Sequence, residues 1–278
     1  MVKQRLYQSQ WPKSLVEWTE GDTAYLSVVF TWDLPKAHMR AVWYRQLGYE
    51  VKAGGPACLL MPHYLADVAL VNYGHPDVLW RHNPEATFTS RGCIRKCKFC
   101  AVPKIEGDLV QLKEWEPRRI ICDNNLTACS WKHFCDAIDN LKGIKGIDFQ
   151  GLDARLLIKP HADLLALLDI GIIRLAWDSM NDDPWRAITF LSRVGIPKSQ
   201  IRIYVLIGFN DTPEDALYRL QTIRERGFLP LPQRYNPLDA LVRDSYVGPN
   251  WTDSELTRYM RYWYNPQVWS VPFEEFDR

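Results

Sequence analysis

Short apolar runs alternate with stretches of helical apolar spacing along most of the chain. AYLSVVFTW (24–32) is apolar and rich in β-branched and aromatic residues, so it reads as a strand. KAHMRAVWYRQLG (36–48) spaces its apolar positions as a helix and ends on a glycine suited to a C-cap. YEVKAGGPA (49–57) reads as a strand entering a Gly-Gly-Pro turn. Together these predict a small βαβ layer over residues 1–85, ending near Asn83 and Pro84.

From Ala86 the same rhythm continues. Strands are predicted at 86–90, 118–124, 146–150, 172–178, 201–209 and 228–235, with helices at 130–143, 161–171, 183–195 and 212–227. The last helix has Thr212 as N-cap and Pro213 in its first turn. Short apolar strands between amphipathic helices imply a parallel sheet with covered faces. Six such units fall short of the eight that close a full barrel. The fold class is therefore α/β, with an open, partial (β/α)6 barrel over 86–235 and an aromatic-rich extension over 236–278. In parallel α/β folds the chemistry sits at the carboxyl ends of the strands.

Composition changes this picture in three places. The formal net charge is +1, so no global field recruits nucleic acid or an anionic membrane. No apolar run approaches the roughly 20 residues of a membrane span, and the polar start MVKQRLYQSQWPKSLVEW lacks a signal-peptide core. A cytoplasmic location with no membrane partner is expected. The chain has 7 cysteines, an odd count, and three of them crowd into one loop, which argues against a disulfide framework.

That loop is TSRGCIRKCKFCAVPKIEG (89–107). Cys93, Cys97 and Cys100 stand at C-x3-C-x2-C, following the first strand of the second region. Three thiolates on one loop can hold a cubane [4Fe–4S] cluster and leave one iron open to a small molecule. Arg91, Arg95, Lys96 and Lys98 would offset the cluster's negative charge. A structural zinc site is the competing reading. Zinc sites pair two C-x2-C units or add histidine, and no second pair exists here. Cys129 and Cys135 suit neither site, and His63, His75 and His82 lack ligand spacing.

With Phe99 directly before the third cysteine, CIRKCKFC resembles the signature of the radical S-adenosylmethionine superfamily. The resemblance covers roughly residues 86–235 and implies a partial barrel. It implies that Cys93, Cys97 and Cys100 hold the cluster. The open iron would chelate S-adenosylmethionine, whose reductive cleavage yields a 5′-deoxyadenosyl radical that takes a hydrogen atom from substrate. A flavodoxin or ferredoxin would supply the electron. Asp123, supported by Asn124, would accept from the methionyl ammonium, and Arg155 would hold the methionyl carboxylate. Asp178 closes the fourth strand, and Gly208 would let the backbone approach adenine.

Each of these residues also has a plainer reading: an Asx turn for Asp123 and Asn124, a surface arginine for Arg155, a strand–turn–helix join at Gly208. Gln150 and Asp153 are further candidates for the strand-end mouth, the orientation of Arg174 is open, and Cys122 is the one other thiol expected there.

The first region resembles a shortened cobalamin-binding-like domain, on KAGGPACLLMP (52–62) and GHPDVLWRHNP. It lacks the Asp-x-His-x-x-Gly ligand motif, so no cobalamin is expected. CAVPKIEG is similar to tRNA methylthiotransferases, but their further N-terminal cysteines are absent. Three functions therefore stand as expectations: a radical S-adenosylmethionine enzyme of unidentified substrate, a nucleic-acid or tRNA base modifier of that type, and a non-catalytic iron–sulfur or zinc protein. The tail aromatics with Arg258 and Arg261 would serve base stacking or packing.

Overall fold

The computed structural model describes residues 11–276; the first ten residues of the polar N-terminal stretch and the last two of the tail lie outside them. The N-terminal region forms a four-stranded sheet, β1 (Val16–Glu20), β2 (Thr23–Ser27), β3 (Glu50–Gly54) and β4 (Leu70–Val71), in that order. β1 and β2 are an antiparallel hairpin, whereas β2, β3 and β4 are parallel. Helix α1 (Leu34–Gln46) supplies the β2–β3 crossover, and α2 (Pro56–Leu60) and α3 (Val78–His82) follow β3 and β4. The predicted βαβ unit is β2-α1-β3, and the sheet is wider than it by a strand on each side. VEWTE carries no apolar run, which hides β1 from hydropathy. Ala24, Leu26, Ala37, Ala41, Val51 and Ala53 form this region's own buried core.

The second sheet has six strands, all parallel. These are β5 (Ala86–Thr87), β8 (Ile120–Ile121), β9 (Ile147–Phe149), β10 (Ile170–Ala176), β11 (Ile201–Ile207) and β12 (Leu229–Arg234). Between β5 and β8 lie β6 (Ser90–Arg91), α4 (Val102–Ile105) and β7 (Val110–Gln111), the cysteine loop and its small two-stranded base. Helices α5 (Trp131–Leu141), α6 (Lys159–Leu165), α7 (Trp185–Arg193) and α8 (Pro213–Glu225) fill the remaining crossovers. Every predicted strand and helix of this region is present and most are shorter than hydropathy suggests; α6 and β10 each start two residues earlier than predicted, so Ile170 and Gly171, read as helix, are strand.

The strand order follows the chain order without reversal. Parallel crossovers are right-handed, so a sequential sheet carries its helices on one face. The burial pattern agrees. Ile201, Ile203, Val205 and Ile207 on β11 are buried in the core with Phe134, Ile138 and Leu141 of α5 and Leu220 of α8. Arg202, Tyr204 and Leu206 alternate with them and face the other way. Each Leu, Ile or Phe buried on the helical side stabilises by about 1.5–3 kcal/mol. Ser130 and Thr212 cap α5 and α8 by accepting from the backbone N–H groups of His133 and Asp215.

Beyond β12 the chain forms α9 (Asp253–Trp263), started by a reciprocal Thr252–Glu255 capping box. It packs on β12 and buries Leu256, Tyr259, Tyr262 and Trp263 in the main core. Arg258 donates to the carbonyls of Phe273 and Phe276 and closes the tail on itself. Tyr259, Tyr262, Trp263 and Phe273 thus serve packing, whereas Tyr264 is exposed. Among the described residues no helix is long and apolar enough to cross a membrane.

Trp263 is fully buried. Trp263→Ala should cost about 3–5 kcal/mol, read as a lowered urea midpoint. A solvent-facing, base-stacking tryptophan would show no such loss.

Candidate functional site

The cysteine loop is built as a clamp. β6 and β7 pair antiparallel and bring its two ends together, and the Cys93 N–H donates to the Gly107 carbonyl at 3.2 Å. Gly92 has φ +71°, and a Cβ there would stand 2.0 Å from the Asp108 carbonyl oxygen, so only glycine fits. Glu106 ties the base together. Its carboxylate accepts from Arg91 Nε and Nη2 at 3.0 and 2.9 Å, from the Gly92 N–H at 2.7 Å and from Asn124 Nδ2 at 2.7 Å. Asn124, predicted as a cofactor contact, is thereby a strut between the β8 end and the loop.

A cavity of about 510 Å³ opens at the carboxyl ends of the parallel strands. Cys93, Cys97 and Cys100 all line it, with Phe99, Asp123, Asn124, Arg155 and Asp178. A second cavity of about 320 Å³ shares Cys97, Phe99, Arg155 and Asp178 and runs along Leu206, Phe209 and Asn210. Phe99 meets Phe209 edge-on at 5.7 Å and walls the junction of the two.

Gly208 lines neither cavity. Its φ is +80°, and a Cβ on it would meet the Leu256 side chain at 2.9 Å. The close approach it permits among the described residues is to Leu256 of α9.

Asp123 is 2% exposed, and its carboxylate accepts from the Thr89 N–H, Thr89 Oγ1 and Ser90 Oγ, each at 2.6 Å. These three bonds fix the chain that leads into the loop, and Asp123 also lines the cavity.

Arg155 is held by two carboxylates. It donates to both oxygens of Asp153 at 2.8 and 3.0 Å and approaches Asp182 at 3.2 Å. Arg95 shares Asp153 at 3.1 Å. The Asp153 carboxyl lies below its ordinary range: burial alone would raise it, but the bonds from Arg155 and Arg95 outweigh that.

Asp178 is the contrast. It makes no side-chain hydrogen bond or ion pair among the described residues. Burial pushes its carboxyl up to about 6, against the pull of Arg219 and Arg155. Burial also raises the thiols of Cys97 and Cys100, with Arg155 and Arg95 pulling Cys97 back. Cys93 is close enough to raise Cys97, and both are close enough to raise Cys100. Asn125, unflagged by the sequence, donates Nδ2 to Cys93 Sγ at 3.7 Å. Cys122 lines the cavity as expected, but burial pushes its thiol up to about 12, so it stays protonated.

Among the described residues no group of three His, Cys, Asp or Glu side chains is arranged to hold a single metal ion. The cysteines border a cavity instead. Three soft sulfur donors beside an open volume are of the chemistry that a thiolate-held metal group needs. Gln150, Asp153 and Arg174 line the same cavity, which settles the open orientation of Arg174. Glu106 and Asp182 had no pattern to betray them.

Asp123→Ala should cost about 2–4 kcal/mol, because it strands three buried donors; calorimetric melting of the variant measures it. A residue serving only as a ligand contact would leave the midpoint unmoved. Asp178 behaves oppositely. Its folded pKa lies above the unfolded value near 4, so the native state holds the extra proton and stability falls as pH rises from about 4 to 6. Asp178→Asn should therefore gain about 3 kcal/mol at pH 7, and the gain should vanish below about pH 4 in parallel melts.

No protein-family model matches the chain, and no curated protein matches it.

Proposed function

We propose that the chain is a radical S-adenosylmethionine enzyme, its sequential parallel sheet acting as the partial (β/α)6 barrel of that superfamily. One observation carries the reading: the three cysteines of the C-x3-C-x2-C loop all line a cavity at the carboxyl ends of six parallel strands. Cys93, Cys97 and Cys100 would hold a [4Fe–4S] cluster. With S-adenosylmethionine, the cluster would supply a reductively generated 5′-deoxyadenosyl radical, and a flavodoxin or ferredoxin would supply the electron.

The chain's own residues do the rest. Asn125 donates to the Cys93 sulfur, a bond of the kind that tunes a thiolate ligand. Arg155, oriented by Asp153 and Asp182, keeps a cation beside Cys97. Asp178, not Asp123, is the carboxylate left to accept from an ammonium. Phe99 against Phe209 keeps water from the junction of the two cavities. The N-terminal sheet carries no expected cobalamin ligand, and the role proposed for it is to shield the sheet.

The test is anaerobic reconstitution. The wild-type chain should take up about four irons and release 5′-deoxyadenosine after reduction. Cys93→Ala, Cys97→Ala and Cys100→Ala should each lose both, and Cys129→Ala and Cys135→Ala should retain both. Iron retained by a triple-alanine variant, or a colourless protein holding zinc, would overturn the reading.

A further inference from the structure

The face of the sheet turned away from the helices is not apolar. Arg174 on β10 and Arg202 on β11 stand side by side in register on neighbouring parallel strands, about 4.8 Å apart along the hydrogen-bonding direction. A carboxylate answers Arg174. Asp148 on β9 is fully buried and pairs with Arg174 Nη1. Arg202 donates Nη1 to the carbonyls of Ser199 and Ile201 at 2.6 and 3.4 Å, so the guanidinium that reaches the cavity is that of Arg174.

The hydrogen-bond inventory points the same way. Arg174 Nε donates to the Tyr204 hydroxyl at 3.2 Å, which leaves the hydroxyl proton to be donated elsewhere. Arg174 Nη2 makes no hydrogen bond among the described residues. Gln150 Nε2 is buried and has no acceptor. Gln150 lies next to Arg174, since Phe149 and Ile173 are register partners. Arg174, Tyr204, Gln150 and Gln233 all line the larger cavity. This floor therefore turns three donors toward the cavity, Arg174 Nη2, the Tyr204 hydroxyl and Gln150 Nε2, beside the Arg174–Asp148 pair. It lies four residues before Asp178 along the same chain, roughly 10 Å or more below the cysteine level.

We propose that this floor binds the oxyanion end, carboxylate or phosphate, of a small anionic substrate. The oxyanion would accept from Arg174 Nη2, the Tyr204 hydroxyl and the Gln150 amide. The inference rests on the enzyme reading for the word substrate, and deepens it by naming the substrate's chemical class and the end that is held. The rest of the molecule would then extend upward, toward the thiols.

The test is calorimetric titration of the full-length protein at low ionic strength with inorganic phosphate and, separately, with malonate. Saturable binding of at least one anion is expected, and the preferred probe tells a phosphoester from a carboxylate. Arg174→Gln should weaken it about tenfold or more. Tyr204→Phe and Gln150→Leu leave the Asp148–Arg174 pair intact and should each weaken it about threefold or more, so the outcome does not depend on Arg174→Gln folding. The exposed Arg193→Gln should change nothing.

Absence of saturable binding at millimolar anion overturns the proposal. So does binding that the Tyr204 and Gln150 variants leave intact, or that only Arg155→Gln abolishes. The titration contains neither S-adenosylmethionine nor reductant. It therefore succeeds or fails independently of the iron and 5′-deoxyadenosine assays that test the enzyme reading.

Discussion

The constraint on which everything else depends is the handedness of the crossovers. Because β5, β8, β9, β10, β11 and β12 follow one another without reversal, each right-handed connection returns to the same face. That face takes the four long helices and the apolar core. The other face cannot be closed by the same means, and its residues are free to be polar. Arg174, Tyr204 and Gln233 sit there as a direct result, alternating with core residues such as Ile173, Val205 and Pro232. A sheet with a reversal would have buried these positions under helices and left no such floor.

The cysteine loop solves a second problem, which is holding thiols beside several like and unlike charges without collapse. Its cations are not left loose. Arg91 is bound to Glu106, Arg95 to Asp153 and Lys96 to Asp108. Each pairing fixes a side chain and leaves the field around Cys97 nearly balanced. Exposed pairs such as Lys96–Asp108 are worth little energy. The half-buried bidentate bond of Arg91 to Glu106, which also takes Gly92 and Asn124, gives geometric definition instead. The basic residues that first look like counter-charges for a cluster are thus mostly spoken for by the chain's own carboxylates.

Much of this was legible in the residues. Alternation along IRIYVLI and the Thr212-Pro213 cap located β11 and α8, because both signals come from local physics. The three-cysteine spacing located the cavity wall. What stayed hidden was relational. Nothing in DNN says that Asp123 would turn inward to Thr89 and Ser90, thirty-odd residues earlier, while Asp178 would be left unpaired. The positive φ of Gly208 was readable as a need, but its partner Leu256 belongs to α9, nearly fifty residues on. VEWTE concealed a strand because only one side of it is even partly covered.

The contrast between Asp123 and Asp178 also bears on how a site keeps binding capacity in reserve. A buried carboxylate with three donors is stable and chemically quiet. One with none costs stability at neutral pH, and the fold bears that cost beside two cavities. The same holds deeper down, where Gln150 Nε2 lacks a protein partner. Unspent acceptors at the upper level and unspent donors at the floor give the cavity a polarity along its depth. A ligand set lying along it would put its cationic group near Asp178 and its anionic group near Arg174. That order follows from the chain's own unsatisfied groups, independent of which molecules occupy the space.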